Sequence, residues 1–145
     1  METILLSENG VHLLIFCKEC ELDKGSEETS VFRFDLETLQ FDIAPIHKLE
    51  RKNFKSLVQN SKALRIQPSA AAFHPIEKKI YLISSSGNWL AILDEAMNLM
   101  EVQRLDSKIF KQPEGITFDP GGTLYISNEA AGGQSNLLIF SYKPE

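Results

Sequence analysis

A repeat with a period near 45 residues constrains this chain more than any other feature. The stretch Gln67-Pro68-Ser69-Ala70-Ala71-Ala72-Phe73-His74-Pro75 lies over Gln112-Pro113-Glu114-Gly115-Ile116-Thr117-Phe118-Asp119-Pro120 at a constant offset of 45. After a short polar turn each copy enters a second apolar run. This is Ile80-Tyr81-Leu82-Ile83-Ser84 in one and Leu124-Tyr125-Ile126-Ser127 in the other, at an offset of 44, so the second turn is one residue shorter. A third run follows, Trp89-Leu90-Ala91-Ile92-Leu93-Asp94 against Leu137-Leu138-Ile139-Phe140-Ser141. Self-similarity of this kind marks modules that bury their apolar faces against one another, so the folding unit is the stack.

The N-terminal region fits the same scheme. Leu13-Leu14-Ile15-Phe16-Cys17 reads as a second run and Val31-Phe32-Arg33-Phe34-Asp35 as a third, with the first almost entirely missing. The runs are short, rich in branched and aromatic residues, and bounded by Gly, Pro, Asn, Asp and Ser, which predicts strands. Several, such as Leu137 to Phe140, are apolar on both faces, as antiparallel strands are when sheets pack on both sides. Asp119-Pro120-Gly121-Gly122 is a hairpin turn on its own chemistry, and His74-Pro75-Ile76-Glu77-Lys78 is its counterpart. Leu49, Phe54, Leu57 and Val58 stand at near-helical spacing, and Ser107 to Phe110 predicts one helical turn.

These features predict an all-β chain: a β-propeller fragment of about three four-stranded antiparallel blades with short helical excursions. The units run approximately over 1–44, 67–106 and 112–145 of a single partial domain, with 45–66 as an inter-blade excursion. Propellers close with typically four to eight blades. Three do not close a ring, so the expectation is a truncated propeller, or one completed by a missing half from the same gene or another chain.

With 145 residues the chain is long enough for one core. Its net charge of −5 and dispersed lysines, apart from a mild cluster at Lys48, Arg51, Lys52, Lys55 and Lys62, argue against nucleic acid as a partner. No apolar run approaches the roughly 20 residues of a membrane span. Glu2 stands where a secretory signal carries basic charge, so the first residues do not read as one.

The residues of these runs, above all Gln112-Pro113-Glu114-Gly115-Ile116-Thr117-Phe118-Asp119 continuing through Leu124-Tyr125-Ile126-Ser127-Asn128-Glu129, resemble the SdiA-regulated family, a phytase-like group of six-bladed propellers. The resemblance covers nearly the whole chain and corresponds to the family's C-terminal half. It implies a bacterial protein that is periplasmic, cell-surface or lipid-anchored in full length, with any export signal in the other half. Gluconolactonase-like propellers carry related strings.

In a propeller the innermost strand of each blade starts on the face to which the loop between the second and third strands returns. Ser69 and Glu114 therefore share a rim with Lys18, Ser85, Ser86, Asn128 and Glu129. A carboxylate at the channel mouth suits a hard cation such as Ca²⁺, which takes six to eight oxygens. Glu114 is the leading metal ligand, Glu129 a second, and Ser69, Lys18 and Asn128 the ligand-binding candidates; resemblance to calcium-binding propellers adds weight to Glu114. The competing reading of Glu114 is a solvated loop carboxylate. Cys17 and Cys20 form a Cys-x-x-Cys that ends a strand, which favours a buried Cys17 and an incidental loop Cys20 over zinc or redox chemistry. His74 reads as a turn residue and Trp89 as inter-blade packing. The leading expectation is a noncatalytic module binding a small molecule, a cation or a protein on one face. The alternatives are a metal-dependent hydrolase of phosphoesters, esters or lactones, as the phytase-like and gluconolactonase-like resemblances imply, and a structural interaction domain.

Overall fold

The structure, a computed structural model, describes residues 3–57, 65–130 and 132–144. Val58, Lys62 and Ala131 lie outside the described residues. Twelve strands form three antiparallel sheets, with one short α-helix and one 3-10 turn among the described residues. Blade 1 contains β1 (Thr3–Leu6), β2 (His12–Phe16), β3 (Glu28–Asp35), β4 (Gln40–Phe41) and β5 (His47–Glu50). Helix α1 (Arg51–Leu57) follows. Blade 2 runs through β6 (Ala70–Phe73), β7 (Ile80–Ser84), β8 (Trp89–Leu93) and β9 (Leu99–Arg104), and blade 3 through β10 (Pro113–Phe118), β11 (Leu124–Asn128) and β12 (Asn136–Phe140). Within each blade successive strands pair in turn, except that β5 of blade 1 pairs with β3 and not with β4.

Blade 1 departs from expectation at both edges. Its first strand is present: Thr3-Ile4-Leu5-Leu6 pairs in full with Phe16 back to Leu13. Four residues suffice because β6 of blade 2 is no longer. The segment expected as an excursion begins with β5, whose Leu49 pairs with Thr29, so the outer strand of blade 1 is interrupted rather than absent. Among the described residues the helix runs over Arg51–Leu57. Ser107 to Phe110 does form a turn, with the N–H groups of Ile109 and Phe110 both donating to Asp106 O.

Blade 2 lies between the other two, and its central strands β7 and β8 are buried on both faces, whereas its outer strand β9 is largely exposed. One core cluster joins Phe16, Val31 and Leu49 of blade 1 to Leu82, Trp89 and Leu93 of blade 2, with Phe54 of α1 set edge-on to Trp89 at 5.3 Å. A smaller cluster joins Ala72, Ile83 and Leu90 to Ile116 and Ile126 of blade 3. Strand β12 differs from the expectation of cover on both sides. Leu137 and Ile139 are exposed because no described sheet lies beyond blade 3. The innermost strands β1, β6 and β10 stand side by side. Their starts are tied across the seams by one recurring bond: Thr3 Oγ1 donates to Pro68 O at 3.0 Å, and Ser69 Oγ to Pro113 O at 2.7 Å.

Candidate functional site at the inner rim

The start of β10 carries the site. Pro113 pairs with Asn128 and Gly115 with Ser127, so Glu114 is the extra residue of a β-bulge. A bulge re-aims a side chain that regular alternation would send elsewhere. Here Glu114 reaches back to blade 2, where its Oε1 accepts a hydrogen bond from Ser85 Oγ at 2.7 Å. Ser85 is held in turn, since its N–H donates to Ser69 Oγ at 3.3 Å. A Cβ at Gly115, beside the bulge, would meet the Ser127 hydroxyl, which would have to turn away to admit a larger residue.

Asn128 of β11 pairs with Pro113 beside the bulge. It is 4% exposed, and its Nδ2 donates to Asn136 Oδ1 at 2.9 Å. Its Oδ1 is buried with no hydrogen-bond partner. Native proteins rarely leave a buried carbonyl oxygen unpaired, since its desolvation goes uncompensated. The arrangement offers hard oxygen donors only, one charged and one neutral, which is the class that Ca²⁺ selects.

The five residues singled out from sequence do not form one site. Ser69 and Glu114 meet through Ser85 at the seam between blades 2 and 3, and Asn128 pairs with Pro113 next to the bulge. Ser69 is committed to structure, because its hydroxyl already serves Pro113 O and the Ser85 N–H. Glu129 is exposed, and its N–H donates to Gln112 O at 2.9 Å. Lys18 lines a separate cleft of about 530 Å³ between blades 1 and 2, beside Glu19, Arg65 and Gln67. Among the described residues, the one group of three His, Cys, Asp or Glu side chains with converging ligand atoms is Cys17, Cys20 and Asp23. Those cysteines form a disulfide, which occupies their sulfurs.

That disulfide corrects the reading of Cys20 as incidental. The loop leaving β2 turns at once into the 3-10 segment Glu21–Asp23, bringing the two Cα atoms to 5.8 Å, within normal disulfide span. Asp23 then anchors the loop by accepting from the N–H and hydroxyl of Ser30 at 2.9 and 2.6 Å. His74 is a turn residue as expected: its Nδ1 accepts from the N–H groups of Ile76 and Glu77. The sequence did not disclose that its ring is also buried among Tyr81, Phe118 and Tyr142, with centroids 4.6–5.6 Å away. Burial holds the His74 imidazole below its ordinary pKa, and burial beside Glu77 pushes the Tyr81 phenol up. Trp89 packs in the first seam, its Nε1 donating to Arg65 O at 2.9 Å.

Solved structures share this architecture at low sequence identity. The chain superimposes on hydrazine synthase of Kuenenia stuttgartiensis with a TM-score of 0.57 and 17% identity, over 96% of this chain and 32% of that one. A luciferin-regenerating enzyme gives 0.58 and 9% identity over 98% and 45%. Virginiamycin B lyase of Staphylococcus aureus gives 0.49 and 13% over 96% and 40%. The chain therefore spans less than half the length of each. At these identities the likeness concerns the β-propeller fold alone. No curated protein matches the chain in sequence. The SdiA-regulated profile matches residues 34–131, from the third strand of blade 1 to the loop after β11. On that match, which covers more than half of its length, the chain belongs to the SdiA-regulated family.

Proposed function

We propose that this chain is a noncatalytic binding module that holds a cation or small ligand at the mouth of the propeller channel, on the rim between blades 2 and 3. The observation that carries the reading is the buried, unpartnered Oδ1 of Asn128 beside the bulged Glu114. A ligand that supplied a positive charge or a donor there would satisfy both groups at once. For Ca²⁺, Glu114 would provide the charge, Asn128 a neutral oxygen and Glu129 an outer carboxylate. Since Ca²⁺ takes six to eight oxygens, the rest of the shell would come from water and from the facing part of the ring. Lys18, in the neighbouring cleft, would meet an anionic portion of a larger ligand.

An extracytoplasmic setting, at the cell surface or in the periplasm, belongs to the same reading. It is supported by the Cys17–Cys20 disulfide, a linkage that persists in oxidising compartments.

Thermal unfolding in a calcium titration tests the cation site. A site at one hundred times its Kd stabilises by about 2.7 kcal/mol, roughly 5–10 °C for a domain of this size. Glu114→Ala is expected to abolish the rise. A midpoint that calcium leaves in place, with no binding heat by calorimetry, would remove the cation from the proposal. Calcium-dependent turnover of a generic phosphoester or lactone would instead give the cation a Lewis-acid role and make the protein a hydrolase.

A further inference from the structure

Where β2 ends, Cys17, Cys20 and Asp23 follow one another at every third position. Their two sulfurs and a carboxylate oxygen lie within 4.8 Å of one another. Local structure explains the convergence. Cys20 caps the 3-10 segment Glu21–Asp23, and side chains three apart in such a turn eclipse. The Asp23 N–H donates to Cys20 O at 3.1 Å, which closes the turn.

Ser30 of β3 holds both ends of this loop without help from the sulfur–sulfur bond. Fully buried, it accepts the Cys17 N–H on its carbonyl at 3.0 Å. Its own N–H and hydroxyl donate to Asp23 Oδ2 and Oδ1 at 2.9 and 2.6 Å. A carboxylate oxygen that accepts one hydrogen bond keeps a second lone pair for a cation. Hydrogen bonds of this kind orient the ligands of metal centres.

We propose that reduction of the Cys17–Cys20 disulfide turns this loop into a site for a thiophilic divalent cation of the zinc class, with both sulfurs and an Asp23 oxygen as ligands. Two cysteines alone are too few for zinc. The fold supplies the third donor, and the cleft between blades 1 and 2, which Cys20 and Asp23 border, admits water as the fourth. Zn–S bonds of about 2.3 Å at a tetrahedral centre set two sulfurs roughly 3.8 Å apart. Side-chain rotation reaches that separation with the Cα atoms at 5.8 Å. Lys18, on the same cleft, offsets the negative charge that the cation leaves unbalanced.

The chemistry is thiol–disulfide exchange with a dithiol reductant. One thiolate of the reductant attacks Cys20 Sγ from the cleft, the S–S bond breaks, and Cys17 leaves as a thiolate that takes up a proton. The reductant's second thiolate then displaces Cys20 in the same way, so the reductant departs as a cyclic disulfide and two electrons rest on the cysteine pair. Zinc displaces the two thiol protons as the Zn–S bonds form. The oxidation state of the pair thus decides whether the site exists. It shares no residue with the rim at Glu114 and does not rest on the reading of that rim.

Zinc uptake by the full chain tests the inference. The protein is reduced with a phosphine, because a dithiol would compete for zinc, and is then freed of reductant without air. Thiol titration is expected to count two thiols per chain, and far-ultraviolet dichroism to show the strands retained. One zinc should bind per reduced chain and none to the disulfide form at the same concentration, and cobalt in its place should give a thiolate charge-transfer band. Cys20→Ser is expected to abolish binding. Asp23→Asn, which keeps an acceptor for Ser30, should weaken it at least about tenfold, and Ser30→Ala roughly 10–100-fold. Glu114→Ala should leave it unchanged. Strands lost on reduction, a disulfide that resists the phosphine, equal uptake by the oxidised chain, no uptake by the reduced one, or binding indifferent to Cys20→Ser or Asp23→Asn would each overturn the proposal.

Discussion

The two seams of this molecule are built for different ends. Between blades 1 and 2, Phe16, Phe54, Leu82, Trp89 and Leu93 make a continuous apolar layer, all 1% exposed or less. Between blades 2 and 3 the aliphatic cluster is smaller, flanked by the His74 aromatic group and ending at the rim in Ser69, Ser85, Glu114 and Asn128. The first seam concentrates burial, and so stability. The second gives up some burial for polar groups that only partly satisfy one another, which is how binding surfaces commonly arise.

Substitutions that treat the seams alike should therefore have unlike effects. Trp89→Ala removes the largest buried side chain of the first seam together with its bond to Arg65 O, and is expected to cost about 3–5 kcal/mol in denaturant unfolding. A cost below about 1 kcal/mol would show that the first seam is not the stabilising one. In the second seam, Gly122→Ala meets two obstacles. The glycine has φ +85°, and an added Cβ would lie 3.0 Å from Tyr142 Cγ and 3.1 Å from His74 Cε1. A loss of about 1–3 kcal/mol is expected.

Acid should act on the second seam through His74. Because burial lowers its folded pKa below the unfolded value near 6.5, the unfolded chain binds the proton more readily. The stability that this histidine contributes is complete above about pH 6.5. It is lost as pH falls from there toward the lower folded value. Thermal midpoints measured across that window should decline in the parent chain and flatten in His74→Asn, which keeps a turn acceptor for the Ile76 and Glu77 N–H groups. The smallest effect belongs to the rim itself. Glu114→Gln should change stability in the absence of calcium by under about 0.5 kcal/mol, since an amide oxygen still accepts from Ser85. A larger loss would identify Glu114 as a structural clasp between the blades.

The repeat, the strands and the hairpin turns were legible in the sequence because alternation and turn chemistry are local. Asp119 shows this well: its carboxylate accepts the Thr123 N–H at 2.9 Å, which holds its pKa below the usual range and fixes the Asp-Pro-Gly-Gly turn. At the matching point of the cruder turn, Lys78 takes a positive φ of 57° where the later repeat has Gly122. Strand β1 is all but invisible in the sequence because four residues next to a Ser-Glu-Asn-Gly turn carry too little pattern to stand alone; tertiary pairing with β2 makes the strand. The rim was half legible. Offset alignment placed Ser69 and Glu114 at equivalent positions, but nothing in the sequence distinguishes a serine that ties one blade to the next from a glutamate turned back to Ser85. Blade topology groups Lys18 with them because all inner rims share one side of the disc. Which seam a residue falls into depends on packing that the sequence does not express.

The inserted residue at the start of β10 has a wider consequence. Strand alternation has a period of two, so in a regular ladder the parity of a position decides its environment, and shifting it by one exchanges core for solvent. By absorbing one residue, the bulge lets Pro113 and Ile116 point to the same side although they are three apart. The acidic position between them is thereby uncoupled from the counting that holds the interior together. Selection can exchange the residue there, and with it the charge the protein presents to its surroundings, without disturbing the packing of a single isoleucine.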